Sequence, residues 1–246
     1  MIAPEGFVVV TGAASGIGRS IAQRFFDEGR SVVGIDIVEH SDGSSFPLVK
    51  LDLANTSQLL EQCRILENGF GSMSALVNVA GIYERIDPSA FSLDAYQRVL
   101  TVDLHAPILL SVGAAELMAQ RGFGRIVNVT SIHGEFGERG GLAYDTAKAG
   151  LNQATRTLAL EYSSRGVLFN AVAPGYVETA MSMIDGVLET TTEEFLQTYI
   201  KGGKLPIGRP AQPNDISGLV SWLCSADNTY VTGQVIRIDG GLTSTF

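Results

Sequence analysis

Short runs of β-branched and aliphatic residues alternate with longer stretches of helical periodicity along the whole chain. Phe7–Thr11, Ser31–Asp36, Leu48–Leu51, Ala75–Val79, Arg125–Thr130, Val167–Val172 and Gln234–Ile238 read as strands. Their apolar residues are nearly continuous instead of alternating with polar ones, as in strands covered on both faces. Helical segments fall between them near Gly16–Glu28, Ser57–Asn68, Ala95–Arg121, Ala143–Ser164 and Pro213–Ser225. Strand–helix alternation implies parallel strands joined by right-handed crossovers. The expected architecture is a single-domain, doubly wound α/β fold, with a seven-stranded parallel sheet carrying helices on both faces.

The least regular stretch runs from Val177 to Gln212, after Pro174-Gly175, and is rich in Thr, Glu, Met and Gly. Ligands of doubly wound sheets bind beyond the carboxyl ends of the strands. An excursion there, between the last two strands, is expected to be a lid over the substrate.

Composition narrows the function. The 246 residues suit one α/β unit, and 45% hydrophobic with 17% charged residues supports a substantial core. The formal charge of −9, with no Lys/Arg-rich run, argues against a nucleic-acid groove and against binding to an anionic membrane surface. Cys63 and Cys224 stand far apart and outside any Cys/His cluster, which reads as two reduced thiols and no metal site. The N-terminus has no basic region before an apolar stretch, and no apolar run reaches the roughly 18 residues of a membrane span. A soluble, cytoplasmic protein is expected.

Val10-Thr11-Gly12-Ala13-Ala14-Ser15-Gly16-Ile17-Gly18 follows the first strand and opens the first helix. Glycines at this spacing allow a tight turn, close backbone approach to a pyrophosphate and tight helix–sheet contact, as in Rossmann-type dinucleotide sites. Gly12, Ser15, Gly16, Ile17 and Gly18 are the candidate cradle, where helix N–H groups and the helix dipole favour an anion. Asp36 ends the second strand, eighteen residues after Gly18. A carboxylate there can accept hydrogen bonds from the adenosine ribose hydroxyls and would repel a 2′-phosphate. No Arg or Lys lies in Gly12–Gly18 or beside Asp36, so NAD is expected over NADP.

Tyr144 and Lys148 are four residues apart, one turn on a common helix face, with Ser131 thirteen residues before Tyr144. A free tyrosine, with a pKa of about 10, is a poor base near neutrality, and a neighbouring ammonium lowers that value by stabilising the phenolate. The pair is a candidate proton donor and acceptor. By itself, however, the spacing is a common accident of helices.

These motifs, in this order, resemble the short-chain dehydrogenase/reductase family along nearly the whole chain. The resemblance also rests on Asp52-Leu53 after the third strand, Asn78-Val79-Ala80-Gly81 after the fourth, Asn170-Ala171-Val172-Ala173-Pro174-Gly175, and the ending Thr232-Gly233-Gln234-Val235-Ile236-Arg237-Ile238-Asp239-Gly240-Gly241. It implies that Asp52 and Leu53 flank the adenine, and that Asn78, Ala80 and Gly81 line the cofactor cleft. Pro174, Gly175, Val177 and Thr179 would shape the nicotinamide side. Tyr144 would take the alcohol proton, Lys148 would lower its pKa and hold the nicotinamide ribose, and Ser131 would hydrogen-bond the substrate oxygen. A homotetramer is implied in the same way.

Two positions depart from the family pattern. Val79 replaces the second Asn of the common Asn-Asn-Ala-Gly. Asp103, in Thr101-Val102-Asp103-Leu104, stands where the family usually has the Asn of a catalytic tetrad, which acts largely through its backbone carbonyl and a water touching the lysine. Asp103 keeps that carbonyl and is retained as a relay residue. Its charge, if buried, needs a partner and would raise the lysine's pKa.

Between Ser131 and Tyr144 lies a polar loop. Its His133, Glu135 and Arg139, together with Tyr176, are the candidate substrate contacts. The substrate class that follows is a small secondary alcohol or ketone such as a sugar, polyol or cyclic diol. The alternative is a 3-oxoacyl-thioester reductase acting on a carrier-bound chain, which usually goes with NADPH and basic residues at the cleft mouth. Asp36 and the acidic charge oppose it.

Overall fold

In a computed structural model, which describes residues 6–39, 44–184 and 186–244, the strand–helix alternation closes into the expected layers. Met1–Glu5, on which the reading of a leaderless N-terminus rests, lie outside the described residues. The strands of the main sheet are β1 (Phe7–Thr11), β2 (Val32–Asp36), β3 (Leu48–Lys50), β4 (Met73–Asn78), β5 (Gly124–Val129), β6 (Val167–Pro174) and β7 (Val235–Ile238). All pair in parallel, in the order β3-β2-β1-β4-β5-β6-β7. The order reverses between β1 and β4, which makes the crevice at their carboxyl ends the natural ligand site.

Successive strand residues feed opposite cores, because side chains alternate across a sheet. Phe7, Val9, Val33, Ile35, Leu76, Ile126 and Phe169 pack with residues of α2 (Leu59–Phe70), α4 (Ala106–Arg121) and α5 (Leu142–Tyr162). Val8, Val10, Val32, Val77, Val127 and Val172 pack on the other face against α1 (Gly16–Asp27) and α6 (Pro213–Leu223). Both cysteines are free and buried in these cores.

The helix anticipated over Ala95–Arg121 begins earlier, as α3 (Leu93–Leu100), where Ser92 Oγ accepts the Ala95 N–H at 3.3 Å. It runs unbroken into α4, but Thr101–His105 winds as a π-turn. The 29 residues from Leu93 to Arg121 are long and apolar enough, by length and composition, to cross a membrane. Here Val99, Leu110, Ala114, Ala115 and Met118 of this helix are buried against the rest of the chain. The π-turn went unseen because an extra residue per turn leaves no mark in hydrophobic periodicity. π-Turns concentrate at functional sites, and this one carries Asp103.

The stretch from Val177 to Gln212 is ordered into short pieces. They include a two-stranded hairpin (Met183–Ile184 with Val187–Leu188), single 3₁₀ turns, and a short helix, Glu193–Phe195, that continues into a π-turn over Leu196–Lys201. A parallel bridge between Val177 and Ala211 closes it at the base.

Candidate active site

Parallel strands deliver their carboxyl ends to one edge, and the candidate residues collect there. After β1 the chain turns sharply through Gly12, at φ +67°, and Gly16, at φ +52°, backbone conformations that favour glycine. A Cβ on Gly18 would sit 2.1 Å from the Gly12 carbonyl oxygen, and one on Gly12 would sit 3.0 Å from Ala80 Cα. The loops after β1 and β4 are therefore pressed together. Thr11 Oγ1 joins them further by accepting the Val79 and Ala80 N–H groups at 2.9 and 3.0 Å. The Ser15 side chain makes no capping bond to α1, and no acidic residue occupies the helix's first turn. These N–H groups therefore point at the crevice with neither a side-chain cap nor a neighbouring carboxylate in that turn. That fits the pyrophosphate of a dinucleotide.

Asp36 ends β2 beside this loop. Its Oδ2 accepts the Ala14 N–H at 3.0 Å and its Oδ1 the Ile37 N–H at 2.8 Å. The carboxylate is thereby fixed at the edge of the crevice, where ribose hydroxyls can donate to its remaining lone pairs. Asp52 is exposed, its Oδ1 accepting the Ala54 N–H at 2.9 Å, and Leu53 is buried. On the far side, Pro174 closes β6, Gly175 packs tightly against Asp239, and Val177 is buried. The Thr179 side chain lies beside Gly16, within 3.4–3.6 Å of a Cβ placed there. The base of the excursion thus meets the glycine loop.

Asn78 does not line the cleft with its side chain. It is buried, and its Nδ2 donates to Asn128 Oδ1 at 2.8 Å and Ser111 Oγ at 3.0 Å. Its amide clamps β4 to β5 and α4, so only its backbone is available to a cofactor.

Ser131 follows β5 and caps a 3₁₀ turn, its Oγ accepting the His133 N–H at 3.1 Å. Tyr144 and Lys148 lie in the first two turns of α5, with Lys148 Nζ 5.2 Å from the Tyr144 ring centroid. The Ser131 hydroxyl lies near enough to the Tyr144 phenol to favour its ionised form. Gly134 lets the Ser131 loop settle on α5, since a Cβ there would lie 2.5 Å from Asn152 Nδ2 and 3.1 Å from the Lys148 carbonyl.

Behind Lys148 stands Asp103. Its Oδ2 is 3.1 Å from Lys148 Nζ, its Oδ1 accepts the Ile82 N–H at 2.8 Å, and the residue is fully buried. Lys148 is 3% exposed and also donates to the Val129 carbonyl at 3.4 Å. Gly81 closes over the pair, for a Cβ there would fall 2.7 Å from Asp103 Oδ2. Burial raises the Asp103 pKa against the pull of Lys148. Burial works to lower that of Lys148, but Asp103 and the Tyr144 phenol together outweigh it, and the ammonium stands above its ordinary value.

The anticipated lowering of the Tyr144 pKa is not met within the chain itself. Burial pushes the phenol up, and Asp103 and Asp145 add to that, while Lys148 and the Ser131 hydroxyl pull the other way. The ammonium already has a carboxylate partner, so its effect on the phenol is partly cancelled.

The candidate substrate residues separate. His133 Nε2 lies 3.6 Å from Glu138 Oε2, and its Nδ1 lies 3.3 Å from the Phe136 carbonyl oxygen. Glu135 is instead paired with Arg237. Arg139 lines a surface cavity of about 430 Å³ with Ile86, Pro88, Glu138, Leu142 and Asp145, and Ser131, Tyr144 and Lys148 are not among its lining residues. Loop polarity alone could not tell these directions apart. Tyr176 donates to Tyr199 Oη at 2.9 Å and packs edge-on against Phe195, which ties β6 to the excursion.

Three neighbours escaped the sequence reading. The Tyr83 ring meets the Tyr144 ring 5.4 Å away. Glu138 and Glu189 act on each other electrostatically, and burial with Glu138 raises the Glu189 pKa, while His133 lowers it. Tyr83 stands two residues after the Asn78–Gly81 motif, within reach of that signal. Glu189 had none, since the excursion's path is set by tertiary contacts.

A family model described as enoyl-(acyl carrier protein) reductase matches residues 12–243. The chain is 32% identical to a 3-oxoacyl-[acyl-carrier-protein] reductase of Aquifex aeolicus, covering 95% of this chain and 96% of that one. It is 33% identical to the cis-4-hydroxycyclohexanecarboxylate dehydrogenase of Sinomonas cyclohexanicum, covering 98% and 97%. A Beutenbergia cavernae protein assigned as an NAD(P)-dependent gluconate 5-dehydrogenase, with NADP bound at low occupancy, superposes with a TM-score of 0.88 at 34% identity, covering 98% and 97%.

Proposed function

The chain belongs to the short-chain dehydrogenase/reductase family and is an oxidoreductase of that family. Within it, we propose a NAD-dependent dehydrogenase of a small, neutral secondary alcohol such as a sugar, polyol or cyclic diol. The observation that carries this reading is that Tyr144 has Lys148 Nζ 5.2 Å from its ring centroid and the Ser131 hydroxyl acting on its phenol, at the sheet edge that also carries the glycine loop and Asp36.

Bound nicotinamide would supply or accept the hydride. The chain's own residues do the rest. Ser131 donates to the substrate oxygen, Tyr144 exchanges the proton with it, and Lys148 holds the phenol's electrostatics and the cofactor's ribose. Asp36 supports NAD, since its fixed carboxylate would face a 2′-phosphate. The 177–212 excursion, anchored through Thr179, Tyr176 and Tyr199, is proposed as the lid. A cytoplasmic homotetramer completes the reading, supported by Leu160, which α5 leaves 84% exposed.

The second reading, a 3-oxoacyl-thioester reductase, has support from the Aquifex relative. The net charge of −9 counts against an acidic carrier partner. A panel of polyols, sugars, cyclic alcohols and acyl thioesters, followed at the NADH absorbance with NAD and NADP in parallel, decides between them. Turnover of a neutral alcohol with NAD supports the first reading. Turnover confined to thioesters with NADPH overturns it.

A further inference from the structure

Asp103 is the charged residue in the active-site neighbourhood with the most unusual setting, because its carboxylate touches Lys148 directly. The π-turn at Thr101–His105 turns it inward, and Leu104 beside it seats against Gly150 of α5, where a Cβ would lie 3.0 Å from the Leu104 side chain. The ion pair is thus built by backbone geometry on both sides, with Gly81 above it and the Ile82 N–H fixing the carboxylate's other oxygen.

We propose that Asp103 is a positioning residue that clamps Lys148 in a buried ion pair behind Tyr144 and thereby sets the pH range in which the phenol works. This rests on the reading of Tyr144 as the group that exchanges the substrate proton. A free ammonium would stabilise the phenolate strongly in so buried a place. The carboxylate 3.1 Å behind it offsets that charge. The groups that face the phenol are Lys148 and Asp145 from α5, Asp103 from the π-turn, Ser131 from the end of β5, and the Tyr83 ring from the loop after β4. Of the two carboxylates, Asp103 is the one in contact with the ammonium. Burial of the trio adds to the effect, and the Tyr144 pKa stands above its ordinary value.

The sign follows. Removing the charge at Asp103 leaves Lys148 unbalanced, lowers the Tyr144 pKa, and moves the acid limb of alcohol oxidation to lower pH. The test compares pH profiles of kcat/KM for wild type, Asp103→Asn and Asp103→Ser. Asparagine keeps an oxygen at the Oδ1 position to accept the Ile82 N–H, and the smaller, uncharged serine variant serves if the asparagine variant fails to fold. The acid limb should fall by about one pH unit, with about tenfold higher kcat/KM below the wild-type limb and the KM for NAD changed less than about threefold. A limb that stays put or rises, or a uniform loss at every pH, overturns the proposal.

A second measurement needs neither substrate nor NAD. The ultraviolet difference titration of wild type against Tyr144→Phe reads the ionisation of Tyr144 alone. It should lie above that of free tyrosine in the wild type and fall on Asp103→Asn. A wild-type value at or below about 10 overturns the inference whatever the substrate panel shows, so the two failures are separable.

Discussion

The Tyr83 ring stands edge-on to the Tyr144 ring, 5.4 Å between centroids and 70° between planes. Tyr83 directly follows Ile82, whose N–H donates to the Asp103 carboxylate at 2.8 Å. An edge-to-face pair contributes about 0.5–1.5 kcal/mol beyond area burial. Tyr83→Ala should therefore let the Tyr144 ring wander and lower kcat by about tenfold, whereas Tyr83→Phe should stay within about twofold. Burial and Glu138 push the Tyr83 phenol up to about 12, so it stays protonated at working pH. The pH profile of Tyr83→Phe should match wild type, and a displaced limb would assign Tyr83 a proton-transfer role instead.

Asp36 should decide the cofactor. Its carboxylate is held by the Ala14 and Ile37 N–H groups at the crevice edge. A hydrogen bond to a charged group is worth about 1.5–3 kcal/mol, so Asp36→Ala should lower kcat/KM for NAD by about 10- to 100-fold. The same change removes the repulsion of a 2′-phosphate, and kcat/KM for NADP should rise. Steady-state rates with both cofactors check it. Equal losses for the two would remove Asp36 from cofactor selection.

Much of this site was legible in the sequence because its parts obey local rules. Continuous Val/Ile runs mark doubly covered strands, and glycine spacing marks the tight turn after β1 that Asp36 fastens through the Ala14 N–H. The i, i+4 pair of Tyr144 and Lys148 follows from helix geometry. What escaped is what tertiary structure decides. Asp103 stood out as a residue, but its direct contact with Lys148 depends on a π-turn that periodicity cannot reveal. The family resemblance implies a cleft position for Asn78, but its register opposite Asn128 turns its amide into the core. Glu135 and Arg139 share a polar loop with His133, yet the backbone path sends each elsewhere.

The Asn78–Asn128 pair predicts a stability effect separate from catalysis. Asn128 accepts from Asn78 Nδ2 at 2.8 Å and donates to Thr155 Oγ1 at 2.9 Å, and it is fully buried. Replacing it with an apolar residue leaves Asn78 Nδ2 only Ser111 and a longer contact to the Pro107 carbonyl and strands the Thr155 acceptor on α5, losses of about 1–3 kcal/mol each. Asn128→Leu should lose about 2–4 kcal/mol in urea unfolding, with a lower midpoint and an unchanged m-value. An unchanged midpoint would mean that water satisfies both groups.

The last prediction concerns which substrates are refused. Glu138 lies against His133, and Glu189, on the excursion, is close enough to both for the three to act on one another electrostatically. Two carboxylates beside one imidazole favour hydroxyl donors and repel an acidic substrate. Glu189→Gln should raise kcat/KM for an aldonate relative to the matching neutral polyol by about tenfold, since one full repulsion at this range is worth about 1–2 kcal/mol near a protein surface. The pH dependence has a definite sign. The Glu189 pKa is raised by burial and Glu138, against the pull of His133, so the wild-type carboxylate takes up a proton at higher pH than a free glutamate. Discrimination against the aldonate is therefore complete above that raised pKa and fades as pH falls through it. The Gln variant, with no proton to gain at that position, should show a flatter selectivity profile over the same range. Selectivity that is equally steep in both proteins would move the discrimination away from Glu189.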